Sequence, residues 1–266
     1  MDPTAYLDAD IGRGDITTLL TVPDRDGAAY ITCEEDAVVA GLEEAVAVLT
    51  HVGATVETHV RDGERVTCGT RILTVTGPLR GLITAERTAL NFLMHMSGIA
   101  TLTSEAVERT GGGVVIAATR KTTPGFGEYQ KKAVALGGGD PHRHGLDSMI
   151  MVKDNHIAAC GSVRRAMELV SAAPFSIKVE VEVSSVEDAV TAAEMGADII
   201  MADNMGPVET GELRDRVKGI NPRILVEASG NMDLDRVGDY VGRADIISMG
   251  CLTHSAPSVQ FSMDVE

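Results

Sequence analysis

Two different periods of apolar residues divide this chain. In the first third, apolar and polar positions alternate over 28–33 (AAYITC), 55–60 (TVETHV) and 65–76 (RVTCGTRILTVT), with Asp62-Gly63 as a turn between the last two. That alternation predicts strands. Between the first two lies GLEEAVAVLTHVGA, which carries apolar residues at helical spacing and closes on a glycine. A long helical pattern then runs from Leu79, is predicted to break or bend near Ser97-Gly98, and stops at the glycine run 111–113. We place a domain boundary there, with 1–111 reading as an α+β block.

Beyond it, short apolar strands alternate with amphipathic helices. Strands are predicted at 114–118, 149–152, 177–183, 198–201, 224–228 and 245–248, with helices at 162–173, 185–195, 207–217 and 232–241. That rhythm means a parallel sheet, open or closed. Six units are too few for an eight-fold barrel and compatible with a reduced one. Polar residues follow the carboxyl end of each strand in turn: Arg120 and Lys121, Lys153, Glu182, Asp203, then Ser229 and Gly230, then Ser248 and Gly250. Six such ends converging on one mouth favour a barrel over an open sheet.

Charge changes the picture. The formal net charge is -16 and the pI about 4.8, so no basic stripe exists to neutralise a nucleic-acid backbone, and anionic membranes are repelled. No stretch of the sequence is apolar enough to span a bilayer, and the amino terminus does not read as a signal peptide, so a cytoplasmic location is expected. Cys33, Cys68, Cys160 and Cys251 are too scattered for a disulfide framework or a zinc site. Against this acidic background Thr119–His156 stands out, with Arg120, Lys121, Lys131, Lys132, Arg143 and Lys153 against four acidic residues. Such an island predicts capture of an anion by a local field.

The candidate chemistry clusters on the same strand ends. In KVEVEV the residues Lys178, Glu180 and Glu182 share one face, and a charge facing into a covered sheet must be paired or meet a ligand. Glu182 lies nearest the mouth. Asp203 is placed equally well to cap the next helix or to touch a ligand. EASGN and ISMG put small residues and backbone N–H groups after the last two strands, a setting for phosphate, with His254 just beyond. His142, His144 and His156 lack a convergent fourth ligand for zinc, and His142 with Arg143 reads as an anion-binding pair. Arg87, mid-helix, reads locally as a surface salt-bridge residue. The residues alone therefore point to a ligand bearing several negative charges, phosphate among them.

In order along almost the whole chain, IGRGDITT, ERTALN, SGIAT, TRKTTPG, GGG followed by HR, KDNH, EVEV, DNM, EASG and ISMGCLTHS resemble the quinolinate phosphoribosyltransferases. The resemblance implies an amino-terminal α/β sandwich over 1–111, joined by the tail 254–266, and an incomplete, six-unit α/β barrel over 112–253. It implies a homodimer with shared active sites, or a higher assembly, converting quinolinate and phosphoribosyl pyrophosphate, with Mg²⁺, to nicotinate mononucleotide, pyrophosphate and CO₂. Arg120, His142, Arg143 and Lys153 match positions around the two quinolinate carboxylates, and Arg87 one that reaches a neighbouring subunit's site. Lys121, Glu182 and Asp203 match the phosphoribosyl side, where the two carboxylates hold Mg²⁺ directly or through water. Ser229, Gly230, Asn231, Ser248, Gly250 and His254 match the phosphate loops, and Lys121, Lys153, Glu182 and Asp203 are the expected catalytic set. Gly127 stands where the family usually has arginine, and Ala118 where it has an acidic residue. Rival readings are a ModD-like paralogue linked to molybdenum transport and a non-catalytic phosphometabolite-binding protein.

Overall fold

The computed structural model describes residues 2–266. In chain order it forms α1 (Thr4–Ile11), α2 (Ile16–Thr21), β1 (Asp26–Cys33), β2 (Ala37–Val38), α3 (Leu42–His51), β3 (Thr55–Thr58), β4 (Arg65–Val66), β5 (Thr70–Pro78) and α4 (Leu79–Arg109). There follow β6 (Val115–Ala117), α5 (Gly127–Leu136), β7 (Ile150–Val152), α6 (Asp154–Cys160), α7 (Val163–Val170), β8 (Val179–Val183) and α8 (Val186–Glu194). The chain closes with β9 (Ile199–Asp203), α9 (Pro207–Ile220), β10 (Leu225–Ser229), a 3₁₀ turn (Val237–Tyr240), β11 (Ile246–Ser248), α10 (Cys251–His254) and β12 (Phe261–Val265). Among the described residues no helix is long and apolar enough to cross a membrane.

Contacts divide the chain into two compact units. One comprises the chain through Ser104 together with Glu128–Gly138 and Ala256–Glu266; the other comprises Glu105–Gly127 and Gly139–Ser255. The first is built on an antiparallel sheet of order β12-β1-β5-β3. Ala29, Ile31 and Cys33 of β1 alternate onto its buried face, as the two-residue period requires. Leu42, Ala45, Val48 and Leu49 line the buried stripe of α3, which packs on β3. From the middle of the chain α5 brings Tyr129 edge-on to Phe92 at 5.1 Å between ring centroids, and Lys132, which pairs with Glu43 and Glu44 at 2.6 and 2.7 Å.

The helix α4 runs through Ser97-Gly98 without the break that the sequence offered there as one alternative. The glycine has another purpose. A Cβ at position 98 would lie 1.9 Å from the carbonyl oxygen of Pro257, so only glycine lets the carboxyl-terminal segment cross here. Ser97 faces the opposite need, donating to Ala40 O at 3.1 Å and accepting from Ala40 N at 2.9 Å.

The second unit holds six parallel strands in the order β6-β11-β10-β9-β8-β7. All six lie within two residues of their predicted starts. Because β6 and β7 are the two edges and do not pair with each other, the α/β arrangement is an open, incomplete barrel. Serine caps restart the helices: Ser162 accepts from Arg165 N and Ser185 from Asp188 N, each at 3.1 Å. The core between sheet and helices includes Val181, Ile200, Val226, Ala189 and Leu213, each fully buried. The helix predicted over 232–241 is absent and only the 3₁₀ turn forms. Asp233 Oδ1 captures the N–H groups of Asp235 and Arg236, each at 3.1 Å, offering the backbone an alternative to the helical ladder.

Candidate active site

Parallel strands deliver their following residues to one edge of the sheet, and the second unit gathers its charged side chains there. After β6, Thr119 Oγ1 accepts the Lys121 N–H at 3.0 Å, and Thr253 Oγ1 donates to Lys121 O at 2.8 Å, which fixes the turn bearing Arg120 and Lys121. After β7, the Lys153 N–H donates to His156 Nδ1 at 2.9 Å at the start of α6. On β8 the alternation holds: Val181 and Val183 are buried on one face, while Glu180 and Glu182 share the other. The Lys153 ammonium is ion-paired with the Glu182 carboxylate.

A cavity of about 510 Å³ opens over these strand ends, lined by Arg120, Lys121, His142, Arg143, Lys153, Glu182 and Asp203 together with Ser229 and Ser248. A neighbouring cavity of about 500 Å³ shares Arg120, Arg143 and Lys153 with it and adds apolar walls from Leu146, Met149, Ile150 and Ile177. Apolar walls beside two guanidinium groups suit an acid with an apolar ring. Burial, and after it the Arg120 charge, pulls Arg143 below the usual arginine range. These two cations oppose each other until an anion joins them.

A third cavity, of about 310 Å³, is lined by Lys121, Ser229, Gly230, Asn231, Ser248, Gly250 and His254. Its backbone is specialised. Gly230 stands at φ 100° and a Cβ there would meet Asn204 Oδ1 at 2.2 Å, while Asn204 and Asn231 occupy the left-handed region at φ 54° and 48°. Arg236 Nη1 donates to Asn231 O at 2.7 Å and Arg236 Nη2 to the Tyr240 hydroxyl at 3.3 Å, which holds the loop carbonyl in place. Gly250 gives room too, since a Cβ there would sit 3.0 Å from His254 Nε2 and 3.2 Å from Lys121 Cδ.

Every candidate residue except Arg87 thus lines one of three cavities that share residues. Arg87 is an exposed residue of α4 in the first unit. Ala118 is fully buried, lines the large cavity, and donates its N–H to Asp140 O at 2.8 Å. Gly127 opens α5, where a Cβ would lie 3.0 Å from Thr122 Oγ1. Two residues carry no local sequence signal for the site: Arg236, within a stretch whose spacing predicts helix, and Glu227, whose strand position in EASGN reads as core.

Glu182 and Asp203 offer hard oxygen donors of the kind Mg²⁺ takes alongside substrate phosphates, so the residues present fit that ion. Asp203 Oδ2 also accepts from Asn204 Nδ2 at 2.8 Å, which fixes the carboxylate plane.

Comparison with known proteins agrees with this arrangement. Residues 15–97 match the model of the quinolinate phosphoribosyl transferase amino-terminal domain, and residues 99–264 that of its carboxyl-terminal domain. The "Probable nicotinate-nucleotide pyrophosphorylase [carboxylating]" of Archaeoglobus fulgidus is 42% identical over 258 residues, covering 95% of this chain and 98% of that protein. The human "Nicotinate-nucleotide pyrophosphorylase [carboxylating]" is 40% identical over 240 residues, covering 88% and 81%. Among solved structures, that of NadC from Streptococcus pyogenes superposes with a TM-score of 0.93 at 39% identity, covering 99% of this chain and 95% of that one. Two domain models in sequence order, with relatives this similar over nearly their full length, place the chain in the quinolinate phosphoribosyl transferase family.

Proposed function

We propose that this chain is a carboxylating nicotinate-nucleotide pyrophosphorylase of NAD biosynthesis, which converts quinolinate and phosphoribosyl pyrophosphate to nicotinate mononucleotide, pyrophosphate and CO₂. The observation that carries this reading is that the cavity bearing Arg120, Arg143 and Lys153 also bears Glu182 and Asp203. Through Lys121, Ser229 and Ser248 it adjoins the cavity of about 310 Å³ that carries Gly230 and Gly250. A protein that merely bound a polyanion would gain nothing from carboxylates at that place.

The chemistry follows from the charges. Arg120 and Arg143 hold the two carboxylates of quinolinate, and Lys153 exchanges its bond to Glu182 for one to the acid. As pyrophosphate leaves, C1 of the ribose gains positive charge, which the Glu182 and Asp203 carboxylates stabilise. The pyridine nitrogen bonds to that carbon. The C2–carboxylate bond then breaks, its electrons stay on C2 beside the positive nitrogen, CO₂ departs, and C2 takes up a proton. When bound at Glu182 and Asp203, Mg²⁺ supplies charge neutralisation for the pyrophosphate. The active form is a homodimer, cytoplasmic, in which Arg87 enters the partner's quinolinate pocket.

The test is incubation of the purified protein with quinolinate, phosphoribosyl pyrophosphate and Mg²⁺, with chromatographic detection of nicotinate mononucleotide and trapping of CO₂. Both products are expected in equal amounts. Folded protein that yields neither above the uncatalysed control overturns the assignment.

A further inference from the structure

Two carboxylates beside the large cavity have no place in the proposed chemistry. Glu180 on β8 and Glu227 on β10 are both 0% exposed, and among the described residues both oxygens of Glu180 and Oε1 of Glu227 have no hydrogen-bond partner. A basic group beside them is His142, whose Nε2 lies 3.2 Å from Glu227 Oε2 and 3.8 Å from Glu180 Oε2. Three ligand atoms so close together resemble a metal site. The imidazole argues against one. Its Nδ1 accepts the Arg143 backbone N–H at 2.8 Å, so the ring proton resides on Nε2, and that nitrogen has no lone pair to give a cation.

The same tautomer redefines His142. With Nδ1 bonded to backbone and Nε2–H directed at Glu227, both ring nitrogens are committed inside the protein. Its backbone is equally constrained: φ is 55°, and the His142 N–H donates to Asp140 Oδ1 at 2.6 Å. Asp140 in turn extends the edge of β6, donating to Ile116 O and accepting from Ala118 N, each at 2.8 Å. A left-handed residue other than glycine persists only where its surroundings hold it there. Here the surroundings are Asp140 on one side and Glu227 beneath, and the next residue in the chain is Arg143.

We propose that Glu227 is a positioning residue for recognition of the dicarboxylate: by anchoring His142 through Nε2–H, it turns Nδ1 to the Arg143 N–H and aims the Arg143 guanidinium into the cavity. A long arginine side chain loses much conformational freedom when it binds, and fixing its root reduces that loss on binding. Glu227 acts through His142 and not on the reacting atoms. The inference rests on the pyrophosphorylase reading above.

Its test is steady-state kinetics of Glu227→Leu, Glu227→Gln and His142→Ala, with quinolinate and phosphoribosyl pyrophosphate varied separately. Glu227→Leu is expected to raise KM for quinolinate about tenfold, the size of one lost hydrogen bond, with KM for phosphoribosyl pyrophosphate within about twofold of wild type. Glutamine also presents an acceptor to Nε2–H, so Glu227→Gln restores most of the loss. His142→Ala reproduces the leucine variant, and the double variant adds little to either. Equal changes in both KM values, a fall in kcat alone, or a glutamine variant as impaired as the leucine one overturns the proposal. If Glu227→Leu does not fold by circular dichroism, the glutamine and His142→Ala variants decide, because the proposal requires near-normal kinetics from the first and a selective quinolinate defect from the second. Wild-type protein without turnover refutes the enzyme assignment instead, so the two failures are distinct.

Discussion

Glu180 and Glu182 sit two residues apart and face the same side of one strand, yet only Glu182 reaches the cavity lining. Register explains the difference. Glu182 and Glu227 both lie opposite Met201 of the strand between them, which leaves Glu180 one layer deeper. Burial, and after it the Glu227 carboxylate, pushes the Glu180 carboxyl from its ordinary 4.5 up to about 8. The group's contribution to stability is full below about pH 4.5 and is lost as pH rises through about 8, since the fold binds a proton that the unfolded chain releases. Glutamine does not titrate. The melting temperature of Glu180→Gln relative to wild type is therefore expected to climb between pH 5 and pH 8, and a flat difference across that range counts against a retained proton. The shared face of Glu180 and Glu182 was legible from alternation alone. Their different depths were not, because depth depends on pairing across two further strands.

At the level of elements, the six parallel strands were readable because short apolar runs bounded by polar residues have few other uses. The turns between them were less so. Asp245, just ahead of β11, was read only as the start of a strand, yet it ties three elements together. Its carboxylate takes Lys218 at 2.7 Å and Arg214 at 3.2 Å from α9, and accepts the Val226 N–H of β10 at 2.8 Å. Burial alone would raise its pKa, but Lys218, the Val226 N–H and Arg214 together hold it below the usual carboxylate range. Asp245→Asn is expected to cost about 1–2 kcal/mol in urea unfolding at neutral pH, as partial loss of charge-assisted bonds does. That difference shrinks as pH falls below the ordinary carboxylate range, where the wild-type group protonates. An unchanged unfolding midpoint at pH 7 would show the three-way contact to be idle. The helix expected over 232–241 failed for a related reason: Asp233 is a polar residue whose side chain competes for backbone donors, which periodicity does not register.

For the molecule as a whole, a net charge of -16 surrounds a positively lined cavity, so an anionic substrate is held by nearby groups against the average field. The proposed sharing of sites makes a quantitative prediction at this scale. Arg87→Ala and Arg120→Ala are each expected to be nearly inactive alone. Mixed under conditions of subunit exchange, they should recover up to about a quarter of wild-type activity, because about half the dimers become mixed and each of those holds one intact site. No recovery, with exchange verified by labelled subunits, argues that Arg87 serves its own chain. Most of the cavity lining was legible in the sequence, since strand ends and glycine turns are local signals. The buried partnership of His142 with Glu227 spans 85 residues of chain and had no local trace.

The unit built on β1 is drawn from three separated pieces, and its sheet is finished by β12 at residues 261–265. During synthesis, the strands β1, β5 and β3 therefore leave the ribosome long before their last neighbour. At ordinary elongation rates the wait is roughly 10–30 s. Through that interval β1 carries an unpaired row of backbone donors and acceptors, the kind of edge that recruits other nascent chains. The sheet begun by β1 is thus completed only when the segment at 261–265 has been made.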